Sequence, residues 1–172
     1  MIEVIVIVII LTILFTILFT IGGIWLDKRK AKQLQEHFAD EDKLMEELCK
    51  ALVEYKPYEK IVKERELKHA LIGFLQARFP NQKLQREVRL SSGEYIDLQV
   101  EDIGIELKIA YDHTTLRNLI GQAGFYLNKV RRLIVFVYVF RDLDKSEEYI
   151  NSLKAMGCKI IICDYNKGSE LK

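Results

Sequence analysis

Tyr95–Ala110, YIDLQVEDIGIELKIA, reads as two short strands around a tight turn. Apolar residues alternate along both halves, the pattern of a half-buried hairpin. Asp97, Glu106 and Lys108 interrupt that apolar material. Side chains two apart on a strand share a face, so Glu106 and Lys108 point the same way. A two- to four-residue turn near Asp102–Ile103 sets Asp97 opposite Glu106 or Lys108 on that face. Two carboxylates a few ångströms apart raise each other's pKa unless a cation intervenes. A cross-strand salt bridge from Lys108 is one resolution. A hard divalent metal is the other, because Mg²⁺ takes one or two carboxylates and fills its octahedron with water and phosphate oxygens. A metal held there would polarise a phosphate and acidify a bound water, with Lys108 orienting that water or holding the attacked phosphate.

The hairpin sits in a legible run of elements. The spacing of Leu67, Leu71, Phe74 and Leu75 predicts a helix from about Glu59 to Phe79, ended by Pro80 and Asn81. Strands follow at about Leu84–Leu90, Tyr95–Val100 and Ile105–Ala110, the first two joined by the turn Ser91-Ser92-Gly93. Thr114 or Thr115 is the expected cap of a helix from about Leu116 to Lys129. Leu133–Phe140, LIVFVYVF, has the continuous apolar character of a strand buried on both faces. A helix at about Ser146–Met156 stops at Gly157, and Lys159–Asp164 is a last buried strand. The order α-β-β-β-α-β-α-β, with antiparallel strands first and helix-linked strands later, predicts an α/β fold with a mixed sheet flanked by helices.

Upstream the chain changes character. Val4–Leu26 is 23 residues without a charge. A helix of that length spans roughly 30 Å of hydrocarbon, with Trp25 at its interfacial end. Lys28, Arg29, Lys30 and Lys32 follow, so the positive-inside rule puts the C-terminal side in the cytoplasm. Residues 1–26 are therefore expected to be a transmembrane helix, with the lipid bilayer as partner of residues 4–26. Residues 27–58 form a juxtamembrane amphipathic segment. Within 28–55, Leu34, Phe38, Met45, Leu48, Leu52 and Tyr55 fall near one helical face, and Asp40 or Asp42 could start a second helix there. That face suits a stalk, a homodimer seam or a helix packed on the following domain, residues 59–172.

The whole chain carries a formal charge of +1, so bulk charge does not announce a nucleic-acid partner. Arg78, Lys83, Arg86, Arg89, Arg117, Lys129, Arg131 and Arg132 are the basic residues available for phosphate contacts or for a solvated surface. Cys49, Cys158 and Cys163 lack metal-ligand spacing and fit a reduced compartment. His69 and His113 read as surface or cap residues, with His113 the nearer in sequence to the charged hairpin.

Asp97 in GEYID, Glu106-Leu107-Lys108 in IELK and the order of elements around them resemble the PD-(D/E)XK, restriction-endonuclease-like nucleases over about residues 59–164. That superfamily has an αβββαβ core, an acid on its second strand and E-x-K on its third. Ile96 stands where the family name has proline, a common departure. The resemblance implies a Mg²⁺- or Mn²⁺-dependent nuclease, more so for DNA than RNA, with Asp97, Glu106 and the Leu107 carbonyl on the metal and Lys108 at the water or phosphate. It also implies a helix acid, Glu64 or Glu66 in KERELKHALIGFL, with Glu64 the better match. Gln122 and Tyr126, a Q-x-x-x-Y pair flanked by Gly121 and Gly124, would position substrate, as in exonuclease-like branches. A second reading keeps the fold without cleavage, as a membrane-tethered nucleic-acid-binding or scaffold protein.

Overall fold

A computed structural model of the chain describes residues 2–91, 93–110, 112–139, 147–164 and 168–172, without the side chains of 2–27 and 168. The backbone of Ile2–Glu54 is one helix, α1. The apolar run 4–26 thus has a helical backbone. Its side chains, and the membrane span expected from them, lie outside the described residues. Among the described residues no helix is long and apolar enough to cross a membrane.

Two compact units divide the chain, residues 1–43 and 44–172. In the first, the described side chains are mostly exposed, and Lys32 and Glu36 pair at 3.8 Å one helical turn apart. No second helix starts at Asp40 or Asp42. The second unit is a mixed α/β structure. It contains the end of α1, then α2 (Glu64–Arg78), β1 (Leu84–Arg89), β2 (Tyr95–Val100), β3 (Ile103–Ala110), α3 (His113–Tyr126), β4 (Arg132–Val139), α4 (Glu147–Ala155), β5 (Lys159–Asp164) and β6 (Gly168–Leu171).

The six strands lie side by side in chain order. β1, β2 and β3 are antiparallel, β3, β4 and β5 are parallel, and β6 closes the far edge antiparallel to β5. Each face of the sheet carries its own core. On one, Leu67, Leu71 and Leu75 of α2 and Leu48 and Leu52 of α1 pack on Leu98, Ile105, Leu107, Phe136 and Ile161. On the other, Leu116, Leu119 and Ala123 of α3 and Ile150 and Leu153 of α4 cover Val135, Val137 and Ile160. The apolar odd-numbered residues of β3, Ile103, Ile105, Leu107 and Ile109, lie in the first core and Ala110 in the second, as the period of two demands. Of the readings open for residues 28–55, packing on the following domain holds for Met45, Leu48, Leu52 and Tyr55, all in the first of these cores.

Several boundaries differ from expectation for local reasons. The first core helix starts at Glu64 rather than Glu59; the residues just before it, among them the buried Ile61, form neither helix nor strand. Glu66 Oε2 accepts from the Lys63 backbone N–H at 3.3 Å and fixes that start. The third helix begins earlier, at His113, because Asp112 caps it by accepting the Thr115 N–H at 2.8 Å. It ends at Tyr126, where Lys129 and Val130 both donate to the Tyr126 carbonyl. Leu133–Phe140 proves to be Arg132–Val139, with Phe140 outside the described residues, as is Ser146 at the head of α4. Strand β6 was not foreseen: four residues beginning with glycine carry too little pattern to read.

Candidate functional site

The β2–β3 turn is two residues, Glu101-Asp102, and the register pairs Val100 with Ile103 and Leu98 with Ile105. Continued by one step, that register sets Asp97 opposite Glu106. There the two strands part: the ladder stops at Leu98, and the Asp97 carboxylate takes the place of a backbone acceptor. Its Oδ2 receives the Leu107 N–H at 2.9 Å. The same position is irregular on the other side. In the β1–β2 register Glu87 and Asp97 are skipped, and Glu87 has φ of 50°, the left-handed region. Past this twist Ile96 lies in the core under α3, while Leu98 and Val100 lie in the core under α2. Gly104 makes room for that crossing, since a Cβ there would collide with Ile96 Cδ1 and meet Val130 Cγ2 at 3.2 Å. The expectation that the apolar positions of the hairpin share one face, with the charges on the other, holds for Leu98 and Val100 and fails at Ile96.

Charged groups from four elements, α2, β1, β2 and β3, meet at this fork. Glu106 is 3% exposed, and its Oε2 is buried with no hydrogen-bond partner among the described residues. Burial, then the Asp97 carboxylate, pushes its carboxyl up to about 8; Lys108 opposes this and Glu64 adds to it. Lys108 Nζ lies 3.9 Å from Glu106 Oε1 and 3.4 Å from Glu64 Oε1. Glu64 therefore reaches the hairpin from α2, while Glu66 is engaged at the helix cap. One turn beyond Glu64, Lys68 Nζ sits 2.8 Å from Asp97 Oδ1 and 3.2 Å from Glu87 Oε1. Burial pulls the Lys68 ammonium down, but its hydrogen bonds and charge contacts with Asp97 and Glu87 outweigh this and hold it above the usual range.

Leu107 is wholly buried, with its N–H committed to Asp97. Tyr126 donates its hydroxyl to the Tyr95 carbonyl at 3.0 Å. Burial, then the Glu106 and Asp97 charges, pushes that phenol up to about 12, which places it in the field of the acids. Gln122 lies one turn earlier on the outer face of α3, in a groove of about 430 Å³ also lined by Arg117, Asn118, Phe125 and Glu94. Of the glycines beside it, Gly121 borders that groove, and Gly124 abuts Met156, just past α4, rather than any backbone. Elsewhere, His69 Nδ1 is 2.7 Å from the Arg65 carbonyl on its own helix, and His113 stacks on Tyr149. Arg78 pairs with Glu54 at 3.1 Å. The three cysteines are free and buried, with burial pushing the Cys158 thiol up to about 11.

The sequence reading missed Lys68 and Glu87. Lys68 had a usable signal, since it lies four residues after Glu64 and therefore on the same helical face. Glu87 had none, because a left-handed glutamate in mid-strand leaves no trace in the pattern.

Asp97, Glu106 and Glu64 offer the oxygen donors that a hard divalent cation takes, one of them with an orphaned buried oxygen, but their carboxylate oxygens do not all lie within 4.8 Å of one another. Mg²⁺ or Mn²⁺ would find Asp97 and Glu106 as ligands, with Glu64 at the edge. Two ammonium groups already stand against these acids, so the charge is also partly balanced by the protein itself.

No protein family and no curated protein matches the chain. Among solved structures, it has a likeness to the CdiA-CT/CdiI toxin and immunity complex from Burkholderia pseudomallei. The identity is 11%, the TM-score is 0.35, and the match covers 69% of this chain and 96% of that one. A likeness at that level carries no argument about fold or activity.

Proposed function

We propose that the chain is a membrane-anchored, metal-dependent nuclease of the PD-(D/E)XK kind, hydrolysing phosphodiester bonds with DNA as the favoured substrate. The observation that carries this reading is the buried Glu106 carboxylate, with one oxygen orphaned, opposite Asp97 and beside Lys108 at a fork between two strands. So buried a carboxyl keeps its proton, up to about pH 8, or gives it up to a cation that takes its place. The α2-β1-β2-β3-α3-β4 order around it supports the same reading, as an αβββαβ restriction-endonuclease-like core.

Mg²⁺ or Mn²⁺ bound by Asp97, Glu106 and the Leu107 carbonyl would supply the Lewis acid and lower the pKa of the attacking water. The chain's own residues do the rest. The Leu107 N–H holds Asp97 in place, and β3 and β2 fix the spacing of the two acids. Lys108, on a rigid parallel strand, presents an ammonium to the water or the phosphate. Glu64 steadies Lys108 from α2, and Gln122 and Tyr126 of α3 would position the substrate strand.

The apolar run 4–26 would tether this domain to the bilayer, with the C-terminal unit in the cytoplasm; of the homodimer seam expected over 28–55, the part outside the core of that unit is 28–43. A defence role against incoming DNA would explain such a tether; protection against phage or plasmid entry that survives deletion of the span would contradict that role.

The full chain in detergent, incubated with single- and double-stranded DNA and with RNA, should cleave with Mg²⁺ or Mn²⁺ and stop with chelator. Asp97→Ala and Lys108→Ala should each abolish cleavage and keep the fold. No cleavage on any substrate, together with no metal binding by calorimetry, sinks the nuclease reading. The Lys68–Asp97 and Lys108–Glu64 pairs favour one rival, a tethered binding protein of the same fold whose acids are neutralised by lysines. That rival predicts nucleic-acid binding indifferent to chelator.

A further inference from the structure

The outer face of α3 carries a groove, lined in part by Gln122 and Tyr126, that lies outside the cluster of acids and lysines. We infer that it is a nucleobase pocket, receiving the unpaired base next to the cut phosphate; this rests on the nuclease reading. Arg117, Asn118, Gly121, Gln122 and Phe125 recur at intervals of one, three and four along the helix and share its solvent side. The opposite side, Leu116, Leu119, Ala123 and Tyr126, is buried in the core. The groove is therefore not needed for folding.

Its chemistry fits a base better than a phosphate. Asn118 and Gln122 each offer a donor and an acceptor on one carboxamide, which is what a base edge requires. Phe125 is half-buried and presents a ring on which a base can stack. Arg117 is the one cation in the lining, and the Glu94 carboxylate, also in the lining, repels phosphate. The volume, about 430 Å³, is in the range of small-ligand pockets.

Its position ties it to the reaction. Tyr126 forms the inner wall, and its hydroxyl holds the Tyr95 carbonyl, two residues from Asp97. A strand whose phosphate lies at Asp97 and Glu106 thus brings its neighbouring base to the groove. A base can enter only when it has left its stack. The substrate is accordingly single-stranded, frayed or flipped at the cut.

Gly121 gives a clean test. A Cβ built there meets nothing within 4 Å, so the backbone accepts a side chain at this position of the groove's lining without a clash at its root. The full chain in detergent, with chelator present, is titrated with a fluorescent single-stranded pentanucleotide and with an abasic strand of the same length and charge. The base-bearing strand should bind about tenfold more tightly, as one stacked base gives. Gly121→Leu should bring that ratio to about one, and Asn118→Ala should reduce it, both with unchanged far-ultraviolet circular dichroism. Equal binding of the two strands by the wild type, or a ratio untouched by Gly121→Leu, overturns the pocket. Metal-dependent cleavage measured alongside separates the two ideas. Cleavage without base discrimination removes the pocket alone, and base discrimination without cleavage removes the nuclease reading alone.

Discussion

Single residues carry the electrostatics of this molecule. Burial, then the Asp97 charge, pushes the Glu106 carboxyl up to about 8 from an ordinary value of 4.5. Between those values the folded state holds a proton that the unfolded state has lost. The stabilising effect of the protonated carboxyl is therefore complete below about pH 4.5 and vanishes as pH rises through about 8. Urea midpoints of the metal-free protein should fall over that window, and Glu106→Gln should flatten the fall. Metal must displace the same proton, so Mn²⁺ affinity measured by calorimetry should climb from pH 6 to pH 8. A wild-type affinity independent of pH would argue that Glu106 is no ligand. Lys68 makes a separate prediction. It places a positive charge 2.8 Å from the Asp97 carboxylate and opposes any second cation there. Lys68→Met should tighten Mn²⁺ binding roughly tenfold. In chelator it should cost about 1–3 kcal/mol of stability, because Asp97 loses its charged donor. A variant weaker in both would make Lys68 a purely structural partner.

At the scale of elements, helix α2 and the β2–β3 fork must be held together for Glu64 and Lys68 to reach the hairpin. Leu67, Leu71 and Leu75 are fully buried against the sheet and do that holding. Leu71→Ala should cost about 2–5 kcal/mol by urea denaturation. If packing of α2 serves the site, the same change should also weaken Mn²⁺ binding, whereas a cavity of equal cost under α4, from Leu153→Ala, should not. The end of α4 is set by Gly157, with φ of 91° and its N–H on the Lys154 carbonyl. Gly157→Ala should cost about 1 kcal/mol, since only glycine takes that conformation freely; an unchanged midpoint would mean that the helix ends by another route.

On the scale of the whole molecule, metal bound only by the folded state raises stability by about 2.7 kcal/mol at a hundredfold excess over Kd. The full chain should therefore melt several degrees higher in Mn²⁺ than in chelator, a difference that Asp97→Ala abolishes. Equal melting temperatures at saturating Mn²⁺ count against a resident metal. The anchor belongs to this scale too. Cell fractionation should find the full chain in the membrane, resistant to carbonate, and a chain lacking residues 1–26 outside it.

Local pattern was enough for most of the architecture. Alternation along Tyr95–Val100, the unbroken apolar run of β4 and the leucine spacing of α2 each arise from neighbours a few residues apart, so each could be read along the chain. Asp97, Glu106 and Lys108 were legible as a group because two strands and a short turn fix their separation. Glu64 was favoured over Glu66 by helical periodicity alone. Tertiary structure decided what depends on contacts between distant segments: the fork at Asp97, the passage of Ile96 beneath Gly104, and the Lys68–Asp97–Glu87 chain of charges. It also decided that the end of α1 belongs to the core, and that Asp112 rather than a threonine caps α3. Burial is the physical reason. The same glutamate is an ordinary acid on a solvated hairpin, and a proton or metal acceptor once helices on both faces exclude water from it.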